Sequence, residues 1–165
     1  MTTRFHTTLQ AARLLAALAL VTGPAGAQQG AEIRMQGRCE RLVIADADLS
    51  GSCAETLVNA VAGSRTSFDF AAEDGQTLSF SGGGAQQERT EDSDPLQPIN
   101  LVVPGRRGKD GIVRNPAPAV GACRFTTPEK GRTMIDCEVT SQGRTFAGTF
   151  VTDAREAGPG AQPKP

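Results

Sequence analysis

Apolar and polar residues alternate along most of this chain, and this two-residue period restricts the possible fold more than any other feature. Residues 67–70 (SFDF) show it, and so do Ile135, Cys137 and Val139, which would share one face of a strand. Successive side chains of a β-strand point to opposite sides, so alternation indicates a strand with one buried face. The sequence therefore predicts an all-β fold, an antiparallel meander that forms either a small barrel or a two-sheet sandwich.

Turn signals divide this pattern into short segments. Residues 73–75 (EDG) and 142–143 (QG) each separate two alternating runs, as hairpin turns do. Strands are predicted near residues 32–36, 39–45, 53–60, 64–71, 76–82, 97–103, 120–126, 132–140 and 144–152. Residues 54–62 also fit a short helix, and that alternative stays open at this point.

Four cysteines, Cys39, Cys53, Cys123 and Cys137, predict two disulfides, because an even number is typical of exported chains. Three connectivities are possible. The equal spacing of 14 residues within Cys39/Cys53 and within Cys123/Cys137 favours these two pairs, each closing its own hairpin. If residues 128–131 form a turn, Cys123 faces Cys137 at a distance that a disulfide can span. A redox or zinc role is disfavoured because the chain has no CxxC motif.

The N-terminus has the three parts of a cleaved secretory signal peptide. Arg4 and Arg13 supply positive charge, residues 14–21 are apolar, and residues 25–27 (AGA) suit signal peptidase. The apolar run is too short to span a bilayer, which takes about 20 residues. We therefore expect a signal peptide over 1–27, a single β domain over 28–153 and a disordered Gly/Pro-rich tail over 154–165. The expected location is the periplasm or the extracellular space.

Composition excludes several classes of function. Loss of Arg4 and Arg13 leaves 15 basic against 18 acidic residues, a formal charge of −3 that does not favour nucleic-acid binding. The only histidine, His6, lies in the predicted signal peptide, and the chain has no Trp and no Tyr. Without an imidazole, the usual general base and metal ligand are missing. We expect no enzymatic activity, no catalytic residue, no metal site and no cofactor.

Two long loops of opposite charge are expected on either side of the strand near 97–103. Residues 82–95 are Gly-rich and then acidic, and residues 104–118 are basic. Long loops in compact domains are functional or mobile. The basic residues are the candidate binding site for a protein or small anionic partner, namely Arg106, Arg107, Lys109 and Arg114. The alternative is a solvated loop that loosely contacts the acidic one.

Two further motifs resemble ligand loops but lack essential residues. Residues 46–51 (DADLSG) resemble the first half of an EF-hand calcium loop, yet Leu57 stands where the bidentate Glu is needed. An Asx turn is the preferred interpretation. Residues 81–84 (SGGG) follow a predicted strand without the lysine of a phosphate-binding loop, so a flexible linker is preferred.

Paired carboxylates are the one catalytic arrangement that the composition leaves open. The candidates are Asp136 with Glu138, or Asp69. Alternation places Asp136 and Glu138 on the face opposite Cys137, so we expect them to be solvated. The leading hypothesis is a non-catalytic binding or interaction module, such as an inhibitor-like barrel. The alternatives are a passive structural or envelope protein and a carboxylate-based hydrolase.

Overall fold

The computed structural model describes residues 30–84, 86–88, 90 and 94–153. The predicted signal peptide over 1–27 and the predicted tail over 154–165 lie outside the described residues. Ten strands and one short 3-10 turn at Ser50–Ser52 make up the fold. The strands are β1 (Ala31–Ile44), β2 (Ala47–Asp48), β3 (Thr56–Ala62), β4 (Arg65–Ala71), β5 (Gln76–Gly83), β6 (Leu96–Gly108), β7 (Gly111–Arg114), β8 (Ala117–Thr126), β9 (Met134–Ser141) and β10 (Arg144–Thr152).

Eight of these strands form a closed antiparallel barrel. The order β1-β3-β4-β5-β6-β8-β9-β10 follows the chain, and β10 pairs back with β1 from Gly37↔Thr152 to Val43↔Ala147. Of the two predicted architectures, the barrel is therefore confirmed and the sandwich is not formed. Closure gives every barrel strand a partner on both sides. Strand β1 extends past this closure, since residues 31–35 pair with β3 but not with β10.

The alternating pattern of the sequence fills the barrel interior. Phe68, Phe80 and Phe150 point inward and are at most 5% exposed. The Cys123–Cys137 disulfide lies among them, and both of its cysteines are fully buried. These cysteines face each other in the β8–β9 ladder with a Cα–Cα distance of 3.9 Å, which confirms the predicted hairpin disulfide.

The Cys39–Cys53 pair is also confirmed, and it lies just beyond the last pair of the antiparallel β1–β3 ladder, Gln36↔Thr56, but the residues that it encloses are not a simple turn. Cys39 lies in β1 opposite Phe150 of β10, whereas Cys53 forms an isolated bridge with Ala72. The disulfide ties β1 to the segment that leads into β3. A simple turn was expected because the enclosed residues are turn-formers, but they form the short β1–β2 hairpin and a 3-10 turn.

Two strands predicted from the sequence form one strand that contains a β-bulge. The segments near 32–36 and 39–45 belong to the single strand β1, whose register shifts between Cys39 and Arg41. A bulge inserts one residue and reverses the alternation beyond it. Met35 therefore faces inward at an odd position, while Leu42 and Ile44 face inward at even positions.

Two glycines lie where strands or side chains approach each other too closely for a Cβ atom. A Cβ on Gly148 of β10 would lie 2.7–2.9 Å from the ring of Phe70, which crosses the barrel interior. A Cβ on Gly82 would overlap the carbonyl oxygen of Pro98. The expected flexible linker over 81–84 is wrong, because Ser81–Gly83 is the end of β5. All three residues pair with β4, and Ser81 also pairs with β6.

Two other sequence expectations are corrected. Residues 54–62 are not a helix, because Thr56–Ala62 is strand β3 with alternate residues facing the interior. Residues 104–118 are not a long loop. Their first part extends β6, which turns at Lys109–Asp110 into β7 and so forms a hairpin. The glycines and prolines of this segment indicated a loop, but Pro104, Gly105 and Gly108 lie in paired strands.

Candidate functional site

The four basic residues predicted to bind a partner lie on this hairpin, which we call the basic hairpin (residues 104–116). It extends beyond the barrel wall, since β6 is the only strand in the described part of the chain that pairs with β7. Residues directly opposite in an antiparallel pair share a face. Arg107 pairs with Ile112, and Gly105 pairs with Arg114, so both arginines lie on one face. Arg106 pairs with Val113 on the other face, and Lys109 is at the tip.

The face that carries Arg107 and Arg114 overhangs the outer wall of the barrel. Between them is a groove of about 450 Å³, lined on the wall side by outward residues of β3, β4 and β5. Asp69 lies in this wall, and its Oδ1 is buried with no hydrogen-bond partner among the described residues. Arg34 also lines the groove, but its guanidinium is bound to Glu32 at 2.7 Å.

The charges of the basic hairpin are mostly uncompensated. Arg106 is 4.0 Å from Asp74 in the β4–β5 turn, which is the longest ion pair in the described part of the chain. The side chain of Gln76 donates to Asp74 and, with its backbone N–H, lowers the pKa of that carboxyl. No described carboxylate lies within ion-pair distance of Arg107, Lys109 or Arg114.

The described residues of the acidic segment lie at the other end of β6 from the basic hairpin, so among them the loose contact of the alternative expectation is not formed. The segment connects the end of β5 to the start of β6 at Leu96, whereas the hairpin is at the other end of β6. Glu88 and Asp94 of this segment are described, while Glu91 and Asp92 lie outside the described residues. The hairpin carries one carboxylate of its own, Asp110 at the tip, and its ion-pair partner outside the hairpin is Asp74.

A second candidate site, which sequence reasoning missed, is the end of the barrel near the acidic segment. Here the interior opens into a cavity of about 1220 Å³, which we call the mouth cavity. Ile33 and Val61 line it and are 55% and 38% exposed, although alternation points both inward. The periodicity shows which residues face inward, but it does not show that these positions leave space unfilled.

The motif at residues 46–51 that resembles a calcium loop has a structural role. Asp48 accepts hydrogen bonds from the backbone N–H and the hydroxyl of Ser50, which confirms the preferred Asx turn. These bonds lower the pKa of Asp48. Asp46 accepts from the backbone N–H of Thr145 and so ties the β1–β2 turn to β10.

The carboxylate pair on β9 is on the outer wall, as alternation predicts. Asp136 accepts a hydrogen bond from the Thr149 hydroxyl at 2.7 Å, and Glu138 is 3.0 Å from a guanidinium nitrogen of Arg41. Asp69 is on a different wall strand, β4. Within the described residues, no group of three or more His, Cys, Asp or Glu side chains is placed to hold a metal ion.

The fold and these two sites define a disulfide-linked, eight-stranded up-and-down barrel with a basic hairpin at one end and a cavity at the other. No protein-family model, no curated protein and no solved structure matches this chain. Within the residues that the structure describes, no helix has the length and apolar character needed to cross a membrane.

Proposed function

We propose that this protein is an exported, non-catalytic binding module whose basic hairpin captures an acidic polypeptide segment. The observation that carries the proposal is the placement of Arg107 and Arg114 on one face of the hairpin, above a groove, without an ion-pair partner among the described residues. Guanidinium groups suit carboxylates because they donate two parallel hydrogen bonds. A partner that supplies carboxylates would compensate both charges.

The edge of β7 favours a polypeptide over a small anion. β7 pairs with β6 on one side, and in the described part of the chain no strand covers its other side. An extended peptide can add to such an edge through main-chain hydrogen bonds, while its alternate side chains reach one face. An acidic residue opposite Arg114 would then meet that guanidinium directly, and an acidic residue two positions away, opposite Ile112, would face Arg107 across the Ile112 side chain.

The export part of the proposal is supported by the disulfides. All four cysteines of the chain are paired, and disulfides persist in oxidising compartments such as the periplasm or the extracellular space. N-terminal sequencing of the protein recovered from outside the cytoplasm should begin at Gln28, after the predicted signal peptide. A chain that retains residues 1–27 in that fraction contradicts cleavage.

The non-catalytic part is supported by the chemistry of the available side chains. No histidine follows His6, and the carboxylates of Asp136 and Glu138 are held by Thr149 and Arg41 on the outer wall. Acid–base catalysis by two carboxylates needs both groups to face one substrate bond. Their engagement by neighbours on the wall favours a structural role.

The binding test uses a fluorescein-labelled peptide of alternating Glu and Val, titrated with mature protein and followed by fluorescence anisotropy. Arg107→Glu with Arg114→Glu should weaken binding at least tenfold, because two attractive contacts become repulsive. The control, Arg124→Glu with Lys130→Glu, changes the net charge equally at exposed sites distant from the hairpin and should bind as wild type. Binding of the wild type should fall as salt rises.

Two outcomes overturn parts of this proposal. Equal affinity of wild type and the Arg107/Arg114 variant removes the hairpin as the binding site. A peptide N-methylated at alternate residues cannot complete the main-chain hydrogen bonds, so its binding with unchanged affinity would exclude strand addition. A matched Lys–Val peptide should not bind.

A further inference from the structure

We infer that the mouth cavity is a second binding site, which takes one small uncharged amphiphile with an apolar body inside the barrel. This site is at the opposite end of the barrel from the basic hairpin and does not depend on the function proposed for it. Eight-stranded barrels have interiors wide enough for side chains to fill or for one small ligand to enter. Among the residues that the structure describes, one part of the interior is filled and the other is open.

The difference between the two parts is visible along β3 and β4. Leu57 and Phe70 are at most 2% exposed, which places them in the filled part of the barrel. Toward the mouth, Val61 is 38% exposed although it faces inward. Across the β1–β3 ladder, Ile33 is 55% exposed on the same inner surface. Large apolar side chains that face the inside of a barrel without neighbours indicate space that an apolar group can occupy.

The inner end of the mouth cavity is an apolar surface. Phe68 and Ile135, which are 5% and 3% exposed, close it, and Phe125 packs on Phe68 with ring centroids 5.5 Å apart. With Ile33 and Val61, these side chains give a continuous apolar lining. At about 1220 Å³, the cavity exceeds the few hundred cubic ångströms that small-ligand sites need.

Most polar groups of the lining are neutral, and its charged residues are Arg34, Arg132 and the exposed Asp153. Asn59 donates to the carbonyl of Ser67, and Gln97, which is 2% exposed, donates to the carbonyl of Pro98; both side chains line the cavity. Both basic residues of the lining, Arg34 and Arg132, are already paired with glutamates. An anionic ligand would lose hydration without gaining a free counter-charge at these arginines, and a cationic ligand would meet only the solvated carboxylate of Asp153. Neutral hydrogen-bonding groups can use the amides of Asn59 and Gln97 instead.

The test uses the uncharged probe N-phenyl-1-naphthylamine, whose fluorescence rises in apolar surroundings. Wild type should show saturable binding of one probe per chain. Thr66→Trp fills the cavity from β4 and should weaken binding at least tenfold, while Val120→Trp, on an outer position that is 82% exposed, should not. Both variants carry the only tryptophan of their chain, so energy transfer to the probe adds a second readout.

A measurement on wild type keeps the inference testable if Thr66→Trp fails to fold. In amide NMR spectra, the side-chain NH₂ signals of Asn59 and Gln97 should shift on addition of the probe and saturate, while that of Asn115 in the basic hairpin should not. Absence of saturable binding, or shifts at Asn115 without shifts at Asn59 and Gln97, overturns the inference. The double variant Arg107→Glu with Arg114→Glu should leave probe binding unchanged. The proposal for the mouth cavity and the proposal for the basic hairpin are therefore tested independently.

Discussion

Two threonines on the outer wall show how single hydroxyl groups affect stability. The Thr149 hydroxyl donates to Asp136 at 2.7 Å across the β9–β10 ladder. The Thr126 hydroxyl is buried and has no hydrogen-bond partner among the described residues. A buried polar group without a partner costs free energy, whereas a satisfied one contributes modestly.

Replacement of each threonine by valine should therefore have opposite effects. Thr126→Val should leave the free energy of unfolding unchanged or raise it by about 1 kcal/mol, because it removes an unsatisfied hydroxyl. Thr149→Val should lower it by about 1 kcal/mol, because Asp136 loses a donor. Urea denaturation of the two oxidised variants measures both. If both variants are destabilised equally, the Thr126 hydroxyl has a hydrogen-bond partner in the folded protein.

The carboxylate of Asp48 links stability to pH. Hydrogen bonds from Ser50 hold its pKa below the ordinary value of 3.8, so the folded state binds this proton less readily than the unfolded state. The stabilisation is complete above 3.8 and is lost as the pH falls through the lower, folded-state pKa. Asp48→Asn should be less stable than wild type at neutral pH, and the difference should shrink below pH 3.8. The urea midpoints of wild type and variant, measured from neutral pH to below pH 3.8, test this prediction. A difference in midpoint that does not change with pH contradicts it.

Among the strands, β10 illustrates how a glycine permits close packing. The Phe70 ring occupies the space where a side chain at position 148 would lie. Gly148→Ala should therefore lower the free energy of unfolding by about 1–3 kcal/mol through overpacking. Gly83→Ala is the control, since its nearest neighbour is the end of the flexible Arg65 side chain at 3.8 Å. Phe70→Leu should partly rescue Gly148→Ala; absence of rescue would place the strain elsewhere.

The two disulfides should differ in their resistance to reduction. Cys123 and Cys137 are fully buried between β8 and β9, whereas Cys39 and Cys53 are only partly buried. A thiolate must reach a sulfur atom to reduce a disulfide, so access controls the rate. Under native conditions, dithiothreitol should reduce Cys39–Cys53 first. Alkylation followed by peptide mass spectrometry identifies the reduced pair, and simultaneous reduction of both would indicate global unfolding as the common step.

The strand limits show what the sequence could and could not reveal. Residues 144–152 were predicted without error, because the turn at 142–143 precedes a clear alternation of Phe146 and Phe150. The basic hairpin was interpreted as a loop, because its glycines and prolines are turn-formers. Pro104 nevertheless lies within the β5–β6 ladder opposite Leu78. Whether such residues join a strand depends on neighbours distant in sequence.

At the scale of the whole molecule, the same limit applies to the candidate sites. The four basic residues were identified from the sequence, but their division between two faces follows from the β6–β7 register. The mouth cavity exists because some inward side chains do not contact side chains from the opposite wall of the barrel. Such contacts join residues distant in sequence, so no local pattern predicts them. Closure through the β1–β10 ladder is likewise a contact between the two ends of the domain.

Closure predicts that the barrel unfolds as one unit. Every wall strand is paired on both sides, so loss of one ladder removes support from the strands on either side of it. Phe68→Trp on β4 and Phe146→Trp on β10 place the only tryptophan of each chain in well-separated strands, at positions that are 5% and 6% exposed. Urea transitions followed by fluorescence in each variant should coincide with that variant's far-ultraviolet circular dichroism. In the opposite case, the tryptophan on one strand reports unfolding at a lower urea concentration than the dichroism of the same variant. That strand then separates first, and the β1–β10 closure does not make the barrel cooperative.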